Sequence, residues 1–277
     1  MQTPPLPAAP PSDSAERRPG LVAFAAKTLA IADMEVRKLR HDPTELFTRA
    51  VQPALWLLVF GQVISRSRVF ETGGLPYMSF LVPGVLAQSV LFIAIFNGIS
   101  IIWERDLGVV HKFLASPTPR PALVLGKAFG GSVRALVQSV VIVLLALVLK
   151  VQIRWDPAAL AGAVLLIVLG ASVFSTFSLI IACIVKTRER FMGIGQVLTM
   201  PLFFASNAIY PTALMPPWLQ AIAHANPLTY QVDGLRELLL VGAPRAPLGL
   251  TTDFLVLSAV LVVLVAVSAR IYPNIAR

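Results

Sequence analysis

Charge is what this 277-residue chain has least of. Asp, Glu, Lys and Arg make up 13% of it against 56% hydrophobic residues, and the mean hydropathy is +0.77. A soluble domain carries about 25% charged residues, so this composition excludes one and describes an all-α integral membrane protein. Cysteine is nearly absent too. Cys183 stands alone inside an apolar run, which rules out a disulfide framework, a CxxC redox pair and a thiolate metal site, and it reads as a small buried hydrophobe. His41, His111 and His224 fall on separate loops with no HExxH, so no metal centre and no histidine-based catalysis is expected. The GxxxxGK[ST] phosphate loop is missing: Gly126-Lys127 is followed by Ala128. Gly-Ala-Ser172 and Gly-Gly-Ser132 look like fragments of nucleophile motifs but have no histidine partner, and they read as packing sites. No catalytic residue is expected.

What is present is a series of apolar runs long enough to cross a bilayer, whose hydrocarbon core is about 30 Å thick. Six spans are predicted, at about 46–64, 77–102, 130–149, 158–185, 192–209 and 254–269. Asp42-Pro43-Thr44-Glu45 supplies the cap, proline and acidic first turn that start the first of them. Pro201 interrupts the fifth, which neighbouring helices can compensate. Polar side chains within the spans include the isolated amides Gln52, Gln88, Asn97, Gln138 and Gln196, the hydroxyls Ser172, Ser175, Thr176 and Ser178, and Arg134 near one end of its span. No span centre carries a carboxylate, which argues against an ion-coupled secondary transporter.

Outside the spans, residues 1–20 are proline-rich and lack an apolar core, so they are expected to be a disordered tail. Residues 21–41 form an amphipathic helix expected to lie along the membrane surface, its basic end favouring the anionic cytoplasmic leaflet. Residues 210–240 are moderately apolar but broken by Pro211, Pro216, Pro217 and Pro227, and are expected to form outer re-entrant helices. With both termini inside, most Lys and Arg fall on the cytoplasmic side, and only Arg66, Arg68, Lys150, Arg154, Arg236 and Arg245 lie outside. That asymmetry follows the positive-inside rule and explains the net charge of +9 without nucleic acid.

The most informative stretch is 103–127, WERDLGVVHKFLASPTPRPALVLGK, a charged interlude between two apolar runs. Leu107, Val110 and Leu114 recur at helical spacing until Pro117, Pro119 and Pro121, which predicts a short amphipathic helix at the membrane surface. Leu81-Val-Pro-Gly84, Glu104-Arg105, Gly108, Leu114, Ser116-Pro117 and Leu125-Gly-Lys127 resemble the permease subunits of ABC-2 type transporters, especially the daunorubicin-resistance-like drug exporters. Pro211, Pro217-Trp218-Leu219, Asn226-Pro227, Tyr230, Asp233 and Arg236 resemble a second signature of that family, and the likeness runs from about Leu21 onward. Val109 and His111 depart from the usual residues.

The resemblance implies a permease of an ATP-driven exporter for drug efflux in the cell membrane, working with two copies of an ATPase subunit that binds ATP and Mg. A second permease copy or paralogue completes it. It also implies a 21–277 transmembrane domain that binds no cofactor, with a coupling helix in 103–127. There Glu104 and Arg105 anchor the helix, Gly108 permits close approach, and Leu107, Val110 and Leu114 enter the partner's groove. Asn226, Pro227, Tyr230, Asp233 and Arg236 would belong to an outer cap over the pathway. The aromatics favour a lipophilic substrate: apart from Trp56, the four Trp and four Tyr sit at or beyond span ends, as an interfacial belt does. The isolated amides would then orient an apolar molecule that enters from membrane lipid. Export of a polysaccharide or glycolipid is the alternative.

Overall fold

The computed structural model describes residues 26–31, 33, 44–67, 72, 74–110, 118–185, 187–243, 246 and 249–272. The expected tail 1–20, most of the 21–41 helix, and Leu114 lie outside the described residues. Within them the chain is helical, apart from turns and one antiparallel bridge between Ile153 and Leu240. A continuous helix runs through α1 (Thr44–Leu55), a π turn (Trp56–Gly61) and α2 (Gln62–Ser67). There follow α3 (Tyr77–Phe96), α4 (Gly98–Asp106), α5 (Arg120–Val148), α6 (Pro157–Ile184) and α7 (Arg188–Phe204). After a 3-10 turn (Thr212–Leu214) come α8 (Pro217–Ala225), α9 (Pro227–Leu239) and α10 (Leu250–Ile271).

Among the described residues, four helices are long and apolar enough to cross a membrane: Tyr77–Asp106, Arg120–Val148, Pro157–Ile184 and Leu250–Ile271. At 1.5 Å per residue each exceeds the roughly 30 Å hydrocarbon thickness. The other two expected spans are weaker. Helix 44–67 carries Glu45, Arg49 and Arg66 near its ends, and α7 stops at Phe204 instead of reaching Ile209. The third span starts ten residues before the expected Gly130. Pro119 precedes the first turn and Pro121 sits within it, where proline needs no N–H partner, so residues 120–127 belong to α5.

The helices run end to end, which gives the molecule two ends. Arg105, Arg120, Lys127, Arg188, Arg190 and Arg270 gather where α4 and α6 finish and α5 and α7 begin, here termed the basic end. The far end holds the α5–α6 turn and the α7–α10 connection. α6 is central, packing on α3, α5, α9 and α10, while α3 packs on α5, α6, α7 and α9. Side chains such as Val140, Leu144, Leu165, Val262 and Val263 face outward, as lipid-exposed positions do.

Small residues allow the close crossings. Ser132 on α5 meets Ser172 on α6 at 3.1 Å and donates to Val168 O. Ser178 donates to Ile95 O, while a Cβ at Gly98 would strike Ser178 and Phe191. Both serine fragments singled out in the sequence are thus packing contacts. In the residues 26–31 helical turn, Thr28 and Ile31 are buried and Leu29 is exposed. Ile31 and the Thr28 carbonyl lie against Gly126 of α5.

Candidate functional site

At the basic end, two charged groupings frame the start of the 103–127 stretch. Glu104 and Lys127 are both buried, and the Lys127 ammonium donates to the Glu104 carboxylate, tying the end of α4 to the first turns of α5. The second grouping is open to solvent. Asp106 accepts from Arg105 at 3.1 Å and from Arg188 at 2.8 Å, and the Arg188 guanidinium lies 3.4 Å above the Trp103 ring. Arg105 also reaches the Val185 carbonyl at 3.4 Å. The chain from α4 is therefore clipped to the α6–α7 loop.

Past α4, Leu107 is 71% exposed and Gly108 adopts φ +72°. Among the described residues a Cβ at Gly108 would meet nothing within 4 Å, and its local role is to turn the backbone in the left-handed region. Val110 departs from expectation: it is fully buried in a small core with Leu123, Val124, Phe191 and Tyr272. Helical spacing cannot tell a residue facing a partner from one facing its own protein. Of the three apolar residues, Leu107 points out, Val110 points in, and Leu114 lies beyond the described residues.

In the middle of the molecule, three of the five isolated amides converge. Gln52, Gln88 and Gln138 line a cavity of about 330 Å³ between α1, α3, α4 and α5. Asn97 sits instead at the α3–α4 junction, where its side-chain oxygen accepts from Arg134. That contact gives Arg134 a partner on a neighbouring helix. Gln196 is exposed on the outer face of α7, away from the other four.

At the far end, the expected cap residues are turned into the protein. The Asn226 side-chain amide donates to Leu202 O at 2.7 Å and Ala205 O at 3.1 Å, satisfying carbonyls where α7 ends, and its oxygen accepts from Leu228 N to cap α9. Pro227 starts α9, and Tyr230 donates to His224 O at 2.7 Å. Asp233 and Arg236, one turn apart on α9, form a buried pair at 3.3 Å. Arg236 donates to Asn207 O at 2.9 Å and stacks 3.8 Å from the Phe80 ring, while Asn207 donates to Asp233.

Sequence reasoning missed Asn207, Lys127, Asp106, Arg188 and the buried Asp253 of α10 as site residues. Asp253 lies one residue outside the expected sixth span and reads there as an ordinary acidic first turn. The i,i+3 spacing of Asp233 and Arg236 is legible as a pair; the third partner, 26 residues away, is not.

A match to the ABC-2 type transporter family covers residues 26–240. The chain belongs to the ABC-2 type transporter family. It is 30% identical over 263 residues to the daunorubicin resistance ABC transporter permease protein DrrB1 of Streptomyces coeruleorubidus, covering 94% of this chain and 91% of the relative. The putative transport permease ycf38 of Cyanophora paradoxa is 29% identical over 73% of this chain and 70% of the relative. The inner membrane transport permease YadH of Escherichia coli K12 is 28% identical over 66% of this chain and 70% of the relative. This ABC-2 type permease is thus a membrane transport component, and its relatives are permeases rather than catalytic subunits.

Proposed function

We propose that this permease is the membrane half of an ATP-driven exporter that moves lipophilic drugs or lipid-like molecules out of the cell. Two copies of a separate ATPase subunit bind ATP and Mg, and a second permease copy or paralogue completes the pathway. The basic end faces the cytoplasm, with both termini, in keeping with the positive-inside rule. Helix 44–67 and α7 supply the fifth and sixth crossings, and α8 and α9 are re-entrant on the outer side.

The observation that carries this reading is the clip at the basic end. Leu107 is presented outward beyond a turn whose base is fixed by Glu104–Lys127 and by Arg105–Asp106–Arg188. A push on that turn reaches α4, α5 and the α6–α7 loop together, which is the mechanical requirement for coupling a motor to several spans. The sequence carries no phosphate-binding loop, and in this reading the push comes from the ATPase subunit. The daunorubicin-resistance relative and the apolar spans support a lipophilic substrate.

The test is reconstitution with the ATPase subunit in liposomes. ATP hydrolysis is expected to rise with hydrophobic amphiphiles and to ignore soluble oligosaccharides. Stimulation only by an undecaprenyl-linked glycan moves the assignment to polysaccharide export.

A further inference from the structure

Gln88 and Gln138 are 2% and 1% exposed, near the middles of α3 and α5. Neither amide has a hydrogen-bond partner among the described residues at its nitrogen or its oxygen. Protein interiors seldom leave such groups unpaired, because a buried amide without a partner forfeits its hydration. Two such amides on the walls of one cavity mark a place where a polar group is bound from outside.

The cavity decides what kind of group. Besides the amides its walls include Ser89, Phe92 and Phe96, and none of the described residues lining it is ionisable. A charged head would lose its water with no counter-charge to replace it. A primary amide both donates and accepts, so its natural complement is a hydroxyl or carboxamide that does the same. Gln52 belongs also to a second hollow of about 510 Å³, formed along helix 44–67 by Leu55, Trp56, Val59, Phe60 and Val63. That hollow is apolar apart from Gln52, and Leu55, Val59 and Val63 stand more than half exposed. The two spaces share Gln52 in their lining: the first sets three amides among apolar side chains, and the second is apolar apart from Gln52 and more open.

We infer that these two spaces form one binding site for an uncharged amphiphile, its hydroxyl or carboxamide head held between Gln88 and Gln138 and its apolar body along helix 44–67. The inference rests on the permease reading and names the substrate class. Uncharged compounds are selected over cationic or anionic ones of equal chain length.

The test uses the full chain in phosphatidylcholine nanodiscs and three photoreactive probes with the same diazirine-bearing acyl chain. Their heads are glycerol, trimethylammonium and phosphate, and labelled residues are mapped by mass spectrometry. The glycerol-headed probe is expected to label the segments around Gln52, Gln88 and Gln138. Labelling falls about tenfold in the Gln88→Met/Gln138→Met double variant, the loss expected when hydrogen bonds to buried partners are removed. Methionine conserves volume and removes polar atoms that lack partners, so this variant keeps its fold. Thr48→Trp, at the exposed rim, blocks labelling by bulk, and Gln196→Met leaves it unchanged. Equal labelling by all three heads, or unchanged labelling in the double variant, overturns the site; a cavity holding only water gives the latter result. Labelling needs no ATPase. Normal labelling without amphiphile-stimulated hydrolysis therefore removes the exporter reading and keeps the site, and the converse removes the site alone.

Discussion

The two ends of this permease use the same chemical parts in opposite ways. At the far end Asp233 and Arg236 are 5% and 7% exposed, share Asn207, and are covered by the Phe80 ring. At the basic end the Asp106 and Arg188 side chains remain 39% and 35% exposed, and their ring partner Trp103 is exposed as well. A desolvated ion pair tolerates little displacement, because each charge has lost the water that could replace its partner. An exposed pair separates and reforms at little cost, because water takes over. The far end is therefore built as a fixed joint of α3, α9 and the turn after α7, whereas at the basic end the exposed Arg188–Asp106 clip is a joint able to part and reform beside the buried Glu104–Lys127 pair.

The largest expected effect follows from the buried joint. Arg236→Ala leaves the Asp233 carboxylate uncompensated and is expected to destabilise the protein by about 3–5 kcal/mol, the usual cost of breaking a buried pair from one side. Thermal unfolding in detergent measures it. Asp233→Leu combined with Arg236→Leu should cost less than Arg236→Ala alone, because no lone charge remains. Wild-type-like unfolding of Arg236→Ala removes the contrast between the ends.

Much of this architecture was legible in the sequence, and the exceptions have a common cause. The spans Tyr77–Asp106, Arg120–Val148, Pro157–Ile184 and Leu250–Ile271 follow from apolar length, a one-dimensional property. Which way a side chain points does not, once both faces of a helix are apolar. Gln88, Gln138 and Gln196 look alike in the sequence, yet two face a cavity and one faces outward. Val110 and Leu107 likewise share a helical spacing and point in opposite directions. Glu104–Lys127 and Asn207–Asp233 join residues 23 and 26 positions apart, and only the three-dimensional crossing of helices brings them together.

A smaller effect separates two roles for Gly108. Its φ of +72° costs an alanine roughly 1 kcal/mol, while asparagine accepts the left-handed region more readily. If the turn itself is what matters, Gly108→Asn keeps amphiphile-stimulated ATP hydrolysis in the reconstituted complex and Gly108→Ala weakens it. If a partner must approach closely, both variants lose it, since both add a Cβ where the described residues leave open space.

The smallest effect on stability is expected from Arg188→Ala, and for that reason it tests the moving joint most directly. Removing the guanidinium leaves the exposed Asp106 carboxylate to Arg105 and water and uncovers the Trp103 ring, so the unfolding midpoint should not shift measurably. The α6–α7 loop is then no longer held to the end of α4 by this side chain. If the clip passes motion from one to the other, stimulated hydrolysis and transport in the reconstituted complex fall together while binding of the ATPase subunit persists. Raising salt should weaken coupling in the wild type and have less effect in the variant, because the screened interaction is already absent there. Arg188→Lys keeps the charge but loses the planar stack on Trp103, and partial recovery is expected. Full coupling in Arg188→Ala at low salt would mean that the basic end transmits force through the buried Glu104–Lys127 pair and the Arg105 contact with Val185, and that the exposed Arg188–Asp106 clip plays no part in coupling.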